Sequence, residues 1–313
     1  MSILLATHFG SAELAQWRTL LQAALPHETF VTQRDAAPES DADIDIALVA
    51  NPPAGALHGL PKLQLIQSLW AGVETLLANP TLPADVSLAR MVDPAMNAAM
   101  AETALWAVLS LQRGFFDCAA QQIARRWQPV PPVRADEICV AVLGLGQMGR
   151  AVALRLLQAG YRVAGWSARK AEVPGVLCLH GEAALPALLA QAQVLINLLP
   201  LTAATRGLLN ALAFAQLPAG ASLVNLARGA HVVDADLLAA LDSGGLKHAV
   251  LDVFHTEPLP FAHAFWSHPK VTVLPHVAAP TDPRSAALIA ARNVRALRSG
   301  QPLQHLVNRT RGY

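Results

Sequence analysis

Cysteine is scarce in this 313-residue chain, with only Cys118, Cys139 and Cys178. Their spacing fits no zinc or dithiol motif, and an odd number closes no disulfide framework. Three reduced thiols, no bound metal and a cytoplasmic location are therefore expected. Charge of one sign is lacking as well: 23 basic and 22 acidic residues leave a formal +1. The densest basic cluster, Arg125-Arg126, reads as the end of a solvated helix. Without a basic stripe, nucleic acid and anionic membrane surfaces are excluded as partners. No apolar run approaches the ~20 residues that span a bilayer. The opening Met-Ser-Ile-Leu-Leu-Ala-Thr-His lacks the basic flank and long apolar core of a signal peptide, and reads as a first β-strand. Repeats and low-complexity tracts are missing too. Apolar residues are abundant, at 53% against 14% charged, which supplies buried cores and excludes disorder. At ~150 residues per domain, the length predicts about two domains.

Short apolar runs alternate with helical patterns from the start. Strands are expected at residues 3–6, 44–49 and 63–68, with helical spacing at 14–25 and a long helix at 97–113. Asn97 would cap that helix and Gly114 close it. Residues 128–134, Gln-Pro-Val-Pro-Pro-Val-Arg, contain three prolines and cannot be regular structure. After this linker the alternation resumes, with strands expected at 138–143, 162–165, 194–198, 222–225, 249–252 and 271–274. A last helix at 283–298 is closed by Gly300. Strand–helix alternation of this kind predicts α/β architecture with parallel sheets covered on both faces. Only the second block carries a glycine-rich loop, so the two halves have different tasks, and a cleft between them is the expected active site.

That loop is Gly144-Leu145-Gly146-Gln147-Met148-Gly149. A lone G-x-G-x-x-G is weak evidence. Here it follows the apolar Cys-Val-Ala-Val-Leu and opens a helical pattern, the context of a dinucleotide-binding turn. Gly144 allows the tight turn, Gly146 leaves room for the pyrophosphate, and Gly149 lets the helix pack close to the sheet. The helix N-terminus then offers free N–H groups to the phosphates. An NAD enzyme usually carries an acidic residue about 20 positions further on. This chain has Gly-Trp-Ser-Ala-Arg-Lys at 165–170 and no carboxylate before Glu172. Ser167 can donate a hydrogen bond, while Arg169 and Lys170 bring positive charge suited to a 2′-phosphate. NADPH is expected over NADH; the competing reading makes Arg169 and Lys170 solvated loop charges.

Three further segments end predicted strands: Asn225-Leu226-Ala227-Arg228-Gly229, Leu251 to Leu259, and Pro275-His276-Val277-Ala278. Loops at the carboxyl ends of parallel strands line the ligand crevice, so Arg228, Glu257 and His276 are expected to converge. Their chemistry is that of keto-acid reduction. An imidazolium gives the carbonyl oxygen its proton, a carboxylate beside it favours the charged form, and a guanidinium fork holds the substrate carboxylate. Asp252 competes for the carboxylate role, with a structural or cofactor-edge position preferred. His255, His263 and His268 are assigned to the loop surface. Trp17, Trp106 and Trp127 are assigned to core or interface.

Together these motifs resemble the D-2-hydroxyacid dehydrogenases, closest to their glyoxylate/hydroxypyruvate reductase A branch. Trp166-Ser167-x-Arg169-Lys170, Ile196 to Thr202 and the terminal Arg311-Gly312-Tyr313 resemble that branch as well. The resemblance implies Arg228, Glu257 and His276 as the catalytic set, and backbone N–H groups from Leu69 and from Trp70, Ala71, Gly72 and Val73 for the substrate carboxylate. Leu199, Pro200, Thr205, Ala227 and Asp252 are expected to line the cofactor. The implied organisation is a discontinuous, flavodoxin-like substrate domain, residues 1–98 and 283–313, around a Rossmann-type dinucleotide domain, residues 99–282, in a homodimer paired through the large domains. The branch often has an aromatic residue before the Pro-Pro of its first-domain loop; here Asn51 precedes Pro52-Pro53, which leaves Trp70 as the candidate filler. Two rival readings are a dehydrogenase for another or bulkier keto acid, and a dinucleotide-sensing corepressor-type module, since fold alone does not decide function.

Overall fold

The computed structural model describes residues 1–32 and 41–313. It divides into two compact units: a discontinuous one, Met1–Ala95 with Thr281–Tyr313, and a continuous one, Met96–Pro280.

In the discontinuous unit the strands are β1 (Ser2–Thr7), β2 (Thr29–Val31), β3 (Ile44–Ala50), β4 (Leu65–Ser68) and β5 (Ser87–Ala89). They form a parallel sheet in the order β2-β1-β3-β4-β5, the flavodoxin-like order. β3 is buried at all seven positions, as a central strand covered on both faces must be. α1 (Ser11–Ala24) and α2 (Glu74–Leu77) belong to this unit. So does the C-terminal helix Pro283–Arg298, which packs on α1 and is capped by the Asp282 carboxylate accepting from the Arg284 amide at 2.9 Å. After that helix the chain runs antiparallel beside β5, with Leu306 bridging Ala89 and the Val307 amide donating to Leu88 O at 2.8 Å. The tail thereby covers a sheet edge that would otherwise be open to pairing.

From Met96 onward α3 (Pro94–Arg113), and after it α4 (Phe115–Ile123), belong to the continuous unit. α3 starts three residues before the expected cap: the Asp93 carboxylate accepts from the Ala95 amide at 2.8 Å and Pro94 takes the first helical position, where a missing N–H costs nothing. Asn97 therefore lies inside the helix. Residues 128–134 have no regular structure. The seven strands are β6 (Cys139–Leu143), β7 (Arg162–Ser167), β8 (Leu177–His180), β9 (Val194–Asn197), β10 (Ala221–Asn225), β11 (Leu246–Leu251) and β12 (Val271–Val273). Their order is β12-β11-β10-β9-β6-β7-β8, all parallel. Numbered from β6, this is the 3-2-1-4-5-6 order of dinucleotide-binding sheets with a seventh strand beyond the sixth. Alternate side chains feed two cores. Ala141, Leu143, Leu195, Leu223 and Leu251 pack on one face. Val140, Val142, Ile196, Val224 and Val250 pack on the other with Ala104, Val108, Val152 and Leu156 from the helices.

The two-sheet α/β class expected from the sequence is the one observed. β8 and the three-residue β2 and β5 lie outside the strands expected from the sequence. No helix among the described residues is long and apolar enough to cross a membrane.

Candidate active site

The glycine loop leaves β6 and enters α5 (Gln147–Gln158). Gly144 takes φ +96°, open to glycine at no steric cost. At Gly149 a Cβ would sit 1.7 Å from Gly144 O, so only glycine lets the first helical turn close onto the loop. Gly146 caps the helix without a side chain, and a Cβ there would meet nothing within 4 Å. The first intrahelical bond is Arg150 N to Gly146 O, and the amides of Gln147, Met148 and Gly149 donate to no acceptor among the described residues. Three free donors, a helix N-terminus and an open space with no side chain in it fit a pyrophosphate.

β7 ends at Ser167, whose hydroxyl donates to Arg169 O at 2.6 Å and tightens the turn that follows. Arg169 and Lys170 are exposed. Lys170 lies 2.9 Å from Glu172, a surface pair of little energetic weight. Arg150, from the first turn of α5, donates to Glu172 O at 2.7 Å and holds the same turn against the glycine loop. Arg150 carries no motif signal; its involvement is visible only in the fold.

Beyond β9 and β10 two fully buried asparagines organise the loops. Asn197 donates to Asn225 at 3.0 Å and accepts from the Leu199 amide. Asn225 accepts from the Ala227 amide and donates to Arg228 O at 3.0 Å. Thr205 donates to Pro200 O at 2.7 Å. His231, fully buried, has ring nitrogens 3.1 Å from Arg228 O and 3.3 Å from Pro200 O, bridging the Pro200 and Arg228 loops. Buried amide and imidazole networks of this kind fix loop geometry because an unmade bond there is costly. Gly229 completes it: a Cβ would fall 2.0 Å from the Phe254 carbonyl carbon. The Arg-Gly pair thus lets the Arg228 loop touch the loop that carries Glu257.

His276 Nδ1 donates to Glu257 Oε2 at 2.6 Å, and Glu257 Oε1 accepts from the Phe254 amide at 2.8 Å. The carboxylate is held at both oxygens. It fixes the imidazole with Nδ1–H inward, so that Nε2, which has no partner among the described residues, faces outward. His276 has φ +55°, a left-handed conformation uncommon for a non-glycine residue and one that a surrounding structure must enforce. Asp252 enforces it. Its carbonyl accepts the His276 amide at 3.0 Å, and its carboxylate accepts the Val277 and Ala278 amides at 2.7 and 3.0 Å. Burial pushes the Asp252 carboxyl above its ordinary pKa, opposed by those two amides and by His276. Asp252 is thus a positioning residue for the histidine loop.

Within the discontinuous unit, the amides of the loop after β4 fall into two groups. The Leu69 amide donates to Val49 O at 2.8 Å and the Trp70 amide to Ser68 Oγ at 3.1 Å. Both are spent on continuing the sheet and closing an ST-turn. The amides of Ala71, Gly72 and Val73 donate to no acceptor among the described residues.

A glycine turn on a 3-2-1-4-5-6 sheet, with a carboxylate-held imidazole past the ends of the same strands, defines a dinucleotide-dependent oxidoreductase. Comparison with known proteins narrows the class. Residues 105–278 match the model of the D-isomer specific 2-hydroxyacid dehydrogenase NAD binding domain. The chain is 42% identical to glyoxylate/hydroxypyruvate reductase A of Serratia proteamaculans over all of both chains. It is 40% identical to the Yersinia enterocolitica protein of that name, over 96% of this chain and 97% of the other. Among solved structures it superposes with TM-score 0.93 and 39% identity on a D-isomer specific 2-hydroxyacid dehydrogenase from Xanthobacter autotrophicus in complex with NADPH and MES, over 100% of this chain and 99% of that one. TM-score is 0.92 and identity 33% with the NADPH-dependent glyoxylate/hydroxypyruvate reductase of Sinorhizobium meliloti in complex with NADP and sulfate, over the whole of both chains. The chain belongs to the D-isomer specific 2-hydroxyacid dehydrogenase family.

Proposed function

We propose that this protein reduces a small 2-keto acid, glyoxylate or hydroxypyruvate, to the 2-hydroxy acid with NADPH. The observation that carries the reading is the 2.6 Å His276–Glu257 pair with Nε2 left facing outward. Bound at the glycine loop, the dinucleotide supplies the hydride. His276 Nε2–H gives its proton to the carbonyl oxygen, and Glu257 stabilises the imidazolium before the transfer. Arg228 binds the substrate carboxylate and polarises the carbonyl. Ala71, Gly72 and Val73 offer backbone donors suited to a carboxylate. Pro200, Thr205, Leu199 and Ala227 line the dinucleotide. The preference for NADPH rests on Arg169 and Lys170, on the lack of a carboxylate at the end of β7, and on the NADP-bound relatives.

The test is loss of reduced-nicotinamide absorbance with NADPH or NADH against glyoxylate, hydroxypyruvate, pyruvate and a bulky 2-keto acid. Fast NADPH oxidation by the two smallest substrates is expected. Turnover with the bulky acid alone, or cofactor binding without turnover, would replace the reading by one of its rivals.

The reading extends to assembly and location. Trp106 and Leu109 on α3, Phe115 and Ile123 on α4, and Trp127 beyond it are large exposed apolar residues close together in the chain, which supports an interface in this stretch. A second copy of the chain is its proposed partner, checked by light scattering; a monomer at micromolar concentration would overturn it. All three cysteines are free, in keeping with the proposed cytoplasmic location.

A further inference from the structure

The discontinuous unit contains a guanidinium that the reaction as described does not use. Arg90 follows β5 directly, at the carboxyl end of the sheet, where parallel α/β sheets bind ligands. Its amide donates to His305 O at 3.1 Å, and the amide of the next residue, Met91, donates to Trp70 O at 3.1 Å. Arg90 thus emerges beside the loop whose Ala71, Gly72 and Val73 amides lack acceptors.

The side chain is half-buried, yet no carboxylate among the described residues forms an ion pair with it, and its guanidinium makes no hydrogen bond there. Other half-buried arginines of this unit are bonded. Arg298 pairs with Glu28 and Asp45, and Arg309 donates to Val86 O at 2.6 Å. Burial holds the Arg90 guanidinium below its ordinary pKa, with the Glu74 charge acting in the opposite direction. The neighbouring imidazole reports the same field: His305 is held below its usual value by burial and by Arg90. A desolvated cation without a bonded counter-ion is destabilising, and chains keep such groups where a ligand supplies the missing charge. Three backbone donors and a guanidinium fork are the complement of a carboxylate.

We infer that Arg90 is a substrate-binding residue that, with the Ala71–Val73 amides, forms a carboxylate site belonging to the discontinuous unit. This rests on the keto-acid reading above and deepens it. Arg90 binds the anionic end of the substrate alike in the ground and transition states, whereas Arg228 also acts on the carbonyl. Arg90 therefore sets preference for keto acids over neutral aldehydes and ketones, and contributes to KM rather than to kcat.

The test combines kinetics, ligand binding and melting for Arg90→Met and Arg90→Lys. Losing a charge-assisted bond predicts that Arg90→Met raises KM for glyoxylate about 10- to 100-fold with kcat within about threefold. Binding of oxalate to the NADPH-loaded protein, read by calorimetry, weakens by the same factor. Arg90→Lys, which keeps the charge and loses the fork, falls between the two. Because no described residue forms an ion pair with the native charge, Tm of both variants stays level or rises; a purely structural arginine would lower it. Unchanged KM and oxalate affinity in an active protein would overturn the inference alone. Oxalate binding that depends on Arg90 in a protein that reduces no keto acid would overturn the function and leave the site standing. If Arg90→Met does not fold, the structural role is the correct one unless Arg90→Lys folds at wild-type Tm with raised KM.

Discussion

The two units handle charge in opposite ways. In the continuous unit the reactive imidazole has its counter-charge built in: Glu257 lies 2.6 Å from His276 and is itself tied to the Phe254 amide. In the discontinuous unit Arg90 and three backbone amides have no protein acceptor among the described residues. A proton donor must be set in one orientation before substrate arrives, so its partner is part of the chain. A carboxylate-binding group gains from staying open until the ligand brings the charge. The difference predicts where energy is lost on mutation: turnover on the first side, binding on the second.

The comparison breaks most sharply at His276. His276→Gln should lower kcat about 10²- to 10⁴-fold while leaving NADPH affinity within about twofold, measured by fluorescence titration; equal loss of cofactor binding would remove the acid role. Gly229→Ala comes next. The added methyl meets the Phe254 backbone, so the Arg228 and Glu257 loops must separate, at a cost of about 1–3 kcal/mol or more. Reduced Tm together with kcat lowered at least tenfold is expected, and a fully active variant would show that the loops do not need this contact. Arg169→Ala should weaken NADPH about tenfold and leave NADH unchanged; equal weakening of both would move Arg169 off the 2′-phosphate.

The smallest effect is on stability at the other end of β11. His248 stacks on Phe116 at 4.4 Å between ring centres and lies 2.9 Å from Thr272 Oγ1. Burial lowers its pKa from 6.5 to about 4. The folded state therefore prefers the neutral ring, and the stability this lends is full above pH 6.5 and is lost as pH falls toward 4. Replacing His248 by Phe should flatten that part of the Tm-against-pH curve and leave turnover unaffected; an unchanged slope would place the titration elsewhere.

Much of this architecture is legible in the residues. β6, β9 and β10 read as strands because each is a short apolar run buried on both faces, and the glycine turn after β6 has a spacing that few other structures require. β8 is hard to read for the opposite reason: Leu-Cys-Leu-His lies at a sheet edge, half-exposed, and its four-residue apolar run Val176–Leu179 carries no alternation that marks a strand. β2 and β5, at three residues, are shorter than any periodicity. At the site, Arg228, Glu257 and His276 stood out by motif, whereas the residues that hold them did not. Asp252 acts on a loop about 25 residues away, and its partners are backbone amides, which have no signature in a sequence. The left-handed φ of His276 follows from that clamp, and nothing in Pro-His-Val-Ala announces it. Arg90 lies in no motif and is distinguished by the side-chain bonds it lacks among the described residues.

The central claim is that Glu257 works through His276. It is tested most directly by kcat for glyoxylate in Glu257→Gln, His276→Gln and the double variant. If the carboxylate serves only the imidazole, the double variant is no slower than His276→Gln alone. Losses that multiply would show that Glu257 acts on the reaction independently, contradicting the account.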